Sequence, residues 1–247
     1  MMCKNLKFML AFMLFVVEVA HSADFSLGVQ GGYYGTAYKT RHADHWALPY
    51  IGYNGKDWYI DGTEAGYNFI NTDTQLFRAK LYYYTNQYSS SDGRNSAMRS
   101  LNSRYSTMMG GFTWQYISPV GAFSTTVGAD TLNNSKGVTL NVSYILLQQW
   151  GNFTLVPEVG VDWSNTQNTR YYYGITDKES ERSGLSTWRP NDSYVPYLQL
   201  AMNYAWSNQW NTWGEITGRF YPSTISNSPM VNKHDVTELT VGISYTF

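Results

Sequence analysis

The chain has 247 residues with a net charge of −1, and 17% of them are aromatic whereas only 14% are charged. Soluble domains carry about a quarter charged residues, and the mean hydropathy of −0.38 is too low for a helical membrane protein. The balanced charge leaves no basic surface for nucleic acid. Many aromatic and few charged residues favour a β-barrel in a membrane, where aromatic girdles need that surplus.

The first residues resemble an export signal. Lys4 and Lys7 precede an apolar run at 8–17, and small residues follow it. The run is too short to span a membrane as a helix, so residues 1–23 are predicted to be a cleaved secretory signal peptide. Residues 24–247 then form the mature barrel. The single cysteine, Cys3, lies before the apolar run, which leaves the mature protein without disulfide or thiol chemistry.

Alternation of apolar and polar residues recurs along the mature chain. Leu155 and Val159 alternate with Thr154 and Glu158, which would place the first pair in lipid and the second in a polar lumen. The same period continues through the last segment, which ends at Phe247. Strands are predicted at 25–34, 45–54, 75–84, 105–117, 122–130, 138–146, 153–163, 194–204, 210–220 and 239–247.

The connections between these strands fall into two classes. Short periplasmic turns are predicted at 54–55, 71–74, 118–121, 150–152 and 207–209, and long extracellular loops at 35–44, 85–104, 131–137, 164–192 and 221–235. Both termini of such a barrel lie in the periplasm, so the number of strands must be even. An outer turn at Asp61 to Glu64 would split residues 57–70 into two short strands and give twelve. The predicted fold is therefore an all-β, transmembrane antiparallel β-barrel, with twelve strands favoured over ten or fourteen.

Charged residues on the predicted inward face carry both signs. A barrel of this size must fill its lumen with side chains or with water. Salt bridges across the lumen would make it a plug, whereas an ion-selective pore would be better supported by a ring of one sign. The inward charges are Arg78, Lys80 and Arg219, with Asp130, Glu158, Asp162, Glu215 and Glu238.

Candidate catalytic and metal-binding groups are sparse. His42 and His45 flank Asp44 in the first outer loop, and His234 precedes Asp235 in the last. Two histidines could share a metal, but no third ligand is visible nearby. A His234 and Asp235 pair facing His45 is the one enzyme hypothesis, and nothing in the spacing favours it over solvated loops. We expect no catalytic, cofactor-binding or metal-binding residues, no cofactor and no enzymatic activity.

The longest loop contains a predicted helix. Thr176 or Asp177 would begin it as N-cap and Gly184 would end it. With the apolar Ile175 and Leu185 at its two ends, this helix could fold over the barrel mouth as a lid. A rigid surface loop is the alternative.

Several segments, taken in order, resemble the MipA/OmpV family of outer-membrane proteins. Asn133 and Asn227 depart from the family pattern, which commonly has an acidic residue at those positions. The matching segments are 171–175 (YYYGI), 179–180 (ES) with 182–185 (RSGL), 106–109 (STMM), 129–135 (ADTLNNS) with Gly137, 191–193 (NDS) before 196–197 (PY), and 228–231 (SPMV).

The resemblance implies a non-enzymatic scaffold in the outer membrane of a Gram-negative bacterium. Such a scaffold would lie in outer-membrane lipid and lipopolysaccharide and would join a lytic transglycosylase to a bifunctional penicillin-binding protein for murein growth. Its periplasmic turns are only a few residues long, so these enzymes would bind to the periplasmic rim of the barrel. The rim residues considered are Trp150, Trp206 and Trp210 with Asn152 and Asn208, which otherwise form the inner aromatic girdle.

Two further functions stay open beside the scaffold. The family resemblance also includes porin-like members, so a small-solute channel is possible if the lumen is open. Adhesion through the outer loops is the other, with Tyr171, Tyr172, Tyr173 and Trp188 as its contacts.

Overall fold

The computed structural model describes residues 24–40 and 44–247, without the side chain of Asp44. The predicted signal peptide at 1–23 and His42 lie outside the described residues. The strands are β1 Asp24–Tyr34, β2 Asp44–Asn54, β3 Trp58–Asp61, β4 Glu64–Asn71, β5 Gln75–Tyr84, β6 Thr107–Ser118, β7 Gly121–Asp130, β8 Val138–Ile145, β9 Gln148–Trp150, β10 Phe153–Ser164, β11 Ser193–Ala205, β12 Trp210–Phe220 and β13 Asp235–Thr246. The helices are α1 Ser96–Arg99, α2 Thr166–Tyr173, α3 Asp177–Ser183 and α4 Ser223–Ser226, with a 3-10 helix at Ser90–Asp92.

The strands form one closed antiparallel barrel. Each pairs with its neighbours in the chain, and β13 returns to β1, where Val29 lies opposite Ile243. The segments β8 and β9 both pair with β10 and act as one barrel strand, so the barrel has twelve strands. Closure gives backbone groups along the wall partners that lipid cannot supply. The predicted fold class is confirmed.

The short β3–β4 hairpin is the turn that the even strand number required. Gly62 has a φ of 57°, in the left-handed region that favours glycine in tight turns. Its N–H donates to the carbonyl of Ile51 at 3.0 Å, and the pairing of β2 with β3 ends at Gly52. Residues 44–51 of β2 pair only with β1. Pro49 lies on this stretch, and its missing N–H falls on the unpaired side, where proline costs no ladder hydrogen bond.

The two faces of the wall agree with the predicted alternation. Leu198 and Val159 on neighbouring strands are exposed on the outside, whereas Gln199, adjacent in sequence to Leu198, is buried in the lumen. The outer face is therefore apolar and the inner face polar, the reverse of a soluble barrel. In the described part of the chain, none of the helices has the length and apolar character needed to cross a membrane.

Aromatic rings form a band around the barrel end that holds both termini. Phe247 stacks on Phe25 at 5.9 Å and meets Tyr245 at 5.0 Å, and Trp210 lies edge-on to Tyr245 at 5.2 Å. Rings of this kind favour the boundary between apolar and wet surroundings. Their position agrees with the predicted inner girdle, so this end of the barrel is taken as the periplasmic end.

Candidate functional site

The long loops meet over the opposite barrel end in one apolar cluster, which we call the cap. Four loops and the ends of two strands contribute to it, although they are far apart in the chain. Burial of these side chains holds the loops together over the mouth. The cap consists of Ala37, Tyr38, Tyr88, Met98, Leu101, Tyr172, Tyr173, Ile175, Val195, Ile225, Met230, Val231 and Val236.

Hydrogen bonds between loops fix the tyrosines of the cap. The Tyr38 hydroxyl donates to the carbonyl oxygen of Tyr172 at 3.1 Å, and the Asn86 amide donates to the Tyr173 hydroxyl at 3.2 Å. The Ser228 hydroxyl donates to the carbonyl of Tyr173 at 2.7 Å. Burial raises the pKa of the Tyr38 hydroxyl well above its ordinary value, so it remains protonated and a donor. The cap is thus joined by polar as well as apolar contacts.

The predicted helix of the longest loop is present as α3. Thr176 is its N-cap and forms a capping box with Glu179, and Gly184 ends it with a φ of 72°. Capping boxes satisfy two backbone donors at a helix start, and glycine adopts the left-handed geometry of the helix end at little cost. Ile175 is buried in the cap, and Leu185 packs against it. The predicted helix is therefore confirmed, and the apolar residues at its two ends hold it against the cap.

Glu179 joins α3 to the loop between β5 and β6. Its carboxylate accepts hydrogen bonds from the backbone N–H of Asn102 at 3.0 Å and from Arg104 at 2.8 Å, and its side chain is only 1% exposed. Burial alone would raise the pKa of this carboxyl. The N–H of Thr176, the charge of Arg104 and the N–H of Asn102 outweigh burial, so the pKa of Glu179 lies below its usual range. This buried ion pair fixes the two largest loops to each other.

Packed side chains on β2, β3, β5 and β12 narrow the lumen toward the periplasmic end, and we call them the plug. Tyr50 on β2 and Trp213 on β12 meet across the lumen with ring centres 4.6 Å apart, and the Arg78 guanidinium lies 4.3 Å over the Tyr59 ring. Trp213 lies close against Gly242, where a side chain of any other residue would collide with the indole. The plug residues are Tyr50, Tyr59, Leu76, Arg78 and Trp213.

A chamber of about 290 Å³ lies in the lumen and extends from Tyr34 and Tyr84 at the outer strand ends to Gln115, Ser124 and Ile145 near the periplasmic ends of β6, β7 and β8. Tyr173 and Ile225 of the cap line it, and none of the five plug residues does. Most of its wall is polar or tyrosine, as the inward face of a barrel strand allows. The lumen is therefore capped at its outer end and holds an internal space beside the plug.

The two cations of the chamber form ion pairs with three of its carboxylates. Lys80 binds Glu64 at 3.0 Å, and Arg219 binds both Asp162 and Glu238. Inward charges of both signs are therefore paired as predicted, in preference to a ring of one sign. The pairs join strands that are adjacent or separated by one strand, so they lie along the chamber wall and do not plug the interior.

Glu158 differs from the other chamber carboxylates. It accepts hydrogen bonds from the Tyr197 hydroxyl at 2.5 Å and from the Gln199 amide at 3.2 Å, and both donors are neutral. Asn141 connects the groups because its amide donates to Asp162 at 2.8 Å and to the Tyr197 hydroxyl at 3.0 Å. Glu158 therefore faces the chamber without a cationic partner among these contacts.

Asp130 does not pair across the lumen as the sequence suggested. Its carboxylate accepts hydrogen bonds from the backbone N–H groups of Leu132, Ser135 and Lys136 and from the Thr107 hydroxyl. The inward face was predicted correctly, but Asp130 is the last residue of β7, where loop N–H groups are nearer than lumenal cations. It organises the loop at 131–137 instead.

The histidines are not brought together into a site. His45 lies 5.6 Å from the ring of Tyr33, and the backbone oxygen of His234 accepts a hydrogen bond from Tyr221. Within residues 24–40 and 44–247, no group of three or more His, Cys, Asp or Glu side chains could hold a metal ion. The geometry gives no support to the hypothesis of catalysis by His234, Asp235 and His45.

The aromatic residues proposed for adhesion are mostly inside the cap. Tyr172 and Tyr173 are buried, Tyr171 and Trp188 pack against the cluster, and the Trp188 indole donates to the carbonyl of Thr224 at 3.1 Å. Tyr172 and Tyr173 are therefore wrong as adhesion contacts, whereas Tyr171 and Trp188 are partly exposed.

Several tyrosines of the chamber had no predicted role. Tyr82 and Tyr84 come from inward positions at the top of β5, and Tyr34 and Tyr221 adjoin the outer ends of β1 and β12. The sequence did contain a signal for them. A tyrosine at an inward position near a long loop faces the lumen, whereas a tyrosine of the lipid-facing girdle would lie one residue earlier or later along the strand.

Comparisons with known proteins give the family. The sequence profile described as "MltA-interacting protein MipA" matches residues 27–247. The MltA-interacting protein of Escherichia coli K12 is 34% identical over 230 residues, covering 93% of each chain. The putative outer membrane protein YiaT of the same strain is 27% identical over 228 residues, covering 92% of this chain and 93% of YiaT.

Among solved structures, the chain resembles the COG4313 outer membrane channel of Pseudomonas putida F1 with a TM-score of 0.44 and 8% identity, covering 93% of this chain and 97% of the channel. The matched residues 27–247 include all the segments singled out above. The chain belongs to the MltA-interacting protein (MipA) family and is an outer-membrane β-barrel.

Proposed function

We propose that this protein is a non-conducting, non-enzymatic scaffold of the outer membrane. Its partner would be a lytic transglycosylase of the MltA type, since the 34% identical relative from E. coli is named for interaction with MltA. A bifunctional penicillin-binding protein is the second partner that we propose, from the family resemblance alone. The barrel would hold these murein enzymes at the inner surface of the outer membrane, in contact with its lipid and lipopolysaccharide.

The capped and narrowed lumen is the observation that supports this proposal. A solute would have to displace the cap at the outer end and pass the plug, where Leu76 is only 2% exposed. Displacing packed side chains costs free energy in proportion to the buried surface and the lost contacts. A barrel with such a lumen is better suited to present a surface than to conduct.

The aromatic band at the periplasmic end is the surface that we propose for docking. Trp206 is 65% exposed in the β11–β12 turn, and its ring lies 4.7 Å from that of Tyr204. Trp150 and Trp210 extend the band on either side of it. Exposed tryptophans dominate the binding energy of many interfaces, and turns of a few residues leave these rings accessible from the periplasm.

The test is direct binding in detergent micelles. The purified barrel is immobilised, and a soluble, lipid-free MltA-type transglycosylase from the same bacterium is titrated over it. We expect saturable binding that Trp206→Ala weakens by about 2 kcal/mol, roughly thirtyfold in Kd. Trp58 is a matched control because it is 64% exposed at the same barrel end but lies on β3, five strands around the barrel from β11 and away from Trp206, Trp150 and Trp210. Absence of binding, or equal loss with Trp58→Ala, would refute the proposal.

Planar-bilayer recording separates the scaffold from the channel. We expect no conductance steps from the wild type. We also expect none after deletion of residues 174–189, because the plug below the cap is left intact. Steady conductance from the wild type would favour the channel and remove the main support for a scaffold.

A further inference from the structure

The chamber has no role in the proposed scaffold, yet it is built like a binding site. Its volume of about 290 Å³ is near the lower end for small-molecule sites and would hold roughly ten waters at about 30 Å³ each. Ligand sites commonly combine an enclosed space with a few convergent polar groups. The space is thus suited to a small ligand.

The ionisable groups of the chamber leave an excess of negative charge. Two cations line it, Lys80 and Arg219. Four carboxylates line it as well, Glu64, Glu158, Asp162 and Glu238. Lys80 pairs with Glu64, and Arg219 is shared by Asp162 and Glu238. Four carboxylates against two cations leave an excess of two negative charges, and buried charge without a partner is costly.

Tyrosine rings in the chamber already hold cations. The Lys80 ammonium lies 4.7 Å from the centre of the Tyr82 ring, and the Arg219 guanidinium lies 5.3 Å from that of Tyr197. Aromatic faces attract cations when water is excluded. The same wall would therefore favour a ligand cation.

We propose that the chamber binds a small aliphatic diamine, with one ammonium group held by Glu158. A doubly charged ligand matches the excess of two carboxylates. A flexible methylene chain fits beside the tyrosines. A divalent metal ion is the less suitable occupant, because in the described part of the chain no three His, Cys, Asp or Glu side chains converge as ligands.

The test uses radiolabelled 1,4-diaminobutane. The full barrel is refolded in detergent micelles with the diamine, so that closure of the cap does not limit access, and is then desalted and counted. We expect saturable retention of about one diamine per barrel. Glu158→Gln is expected to raise the Kd by about tenfold or more, because it removes a charge-assisted contact. Glu181→Gln, on the exposed face of α3, is the matched control and should retain the diamine fully.

Three results would overturn the proposal. The first is no retention by the wild type, and the second is equal retention by Glu158→Gln when heat-modifiability on a gel shows that it is folded. If Glu158→Gln does not fold, Thr126→Leu takes its place, since it puts a larger side chain into the lining of the chamber without removing a charge; unchanged affinity in Thr126→Leu is then the contradicting result. The third is displacement of the diamine by an equal concentration of MgCl2, which would identify an inorganic-cation site. None of these outcomes bears on binding of the transglycosylase, so the two proposals are judged separately.

Discussion

The Glu179→Gln substitution tests whether one buried ion pair holds the cap together. One carboxylate oxygen of Glu179 accepts from the Asn102 N–H at 3.0 Å and from Arg104 at 2.8 Å. The other accepts from the N–H and the hydroxyl of Thr176 at 3.0 and 2.9 Å. A glutamine amide has a single acceptor oxygen, so one of these two pairs of donors must face an NH2 group.

The magnitude follows from that geometry. The Arg104 side chain is only 6% exposed, so the substitution also leaves a buried guanidinium without its carboxylate. Removing one partner of a buried ion pair costs about 3 to 5 kcal/mol. At about 1.4 kcal/mol per factor of ten, even 3 kcal/mol increases the population of the open cap by roughly a hundredfold.

Hydrogen exchange in detergent micelles measures this opening. The amides of Ser180 and Gly184 donate within the α3 turn at 2.8 Å each, and we expect both to exchange roughly a hundredfold faster in Glu179→Gln. Exchange of amides in the β10–β11 ladder should not change, because the barrel wall does not depend on the cap. Glu181→Gln is the control on the same helix. An increase no larger than that of Glu181→Gln would refute the role assigned to the ion pair.

Three further predictions follow from the same structure. The pKa of Glu179 is lowered in the folded protein, so its contribution to cap stability is complete above the unfolded value of about 4.3 and is lost as the pH falls through the folded value. The protection factor of the Ser180 amide, which is corrected for the intrinsic exchange rate at each pH, should therefore fall below about pH 4 in the wild type but not in Glu179→Gln. Val159→Arg, on the lipid face at the middle of β10, should cost about 2 to 4 kcal/mol in urea unfolding from vesicles, whereas Val159→Leu should cost far less. Asp130→Ala removes the acceptor of three loop N–H groups and should make the 131–137 loop sensitive to protease with little change in barrel stability.

The barrel wall was predictable from sequence because lipid imposes a simple rule. Each strand must be apolar on one face and polar on the other at period two, so Leu155 and Thr154 could be assigned to opposite faces without knowing their neighbours. The extra hairpin at Gly62 followed from the even strand number. The helix α3 was predictable for a different reason, since Thr176 and Gly184 are local signals that need no tertiary contact.

The cap and the plug could not be predicted in the same way. Tyr38 and Tyr172 meet although 134 positions separate them, and loops carry no periodicity that would pair them. Trp213 meets Tyr50 only because the barrel closes at a particular stagger, which the alternation does not specify. Asp130 is the clearest example. The alternation of polar and apolar residues predicted that its side chain faces inward, but its position at the end of β7 decides that loop N–H groups are nearer to it than lumenal cations.

The cap and the plug have no residue in common, and this separation affects whether the barrel could act as a channel. The cap consists of residues from outer loops and strand ends, whereas the plug consists of side chains on β2, β3, β5 and β12 deep in the wall. Nothing that loosens the Glu179 ion pair acts directly on the contact between Tyr50 and Trp213. A channel would need two independent openings at once, so the free-energy costs of the openings add and their probabilities multiply. Opening the cap alone exposes the chamber and its carboxylates to the outside, which is the state expected of a barrel that admits a small cation without conducting it.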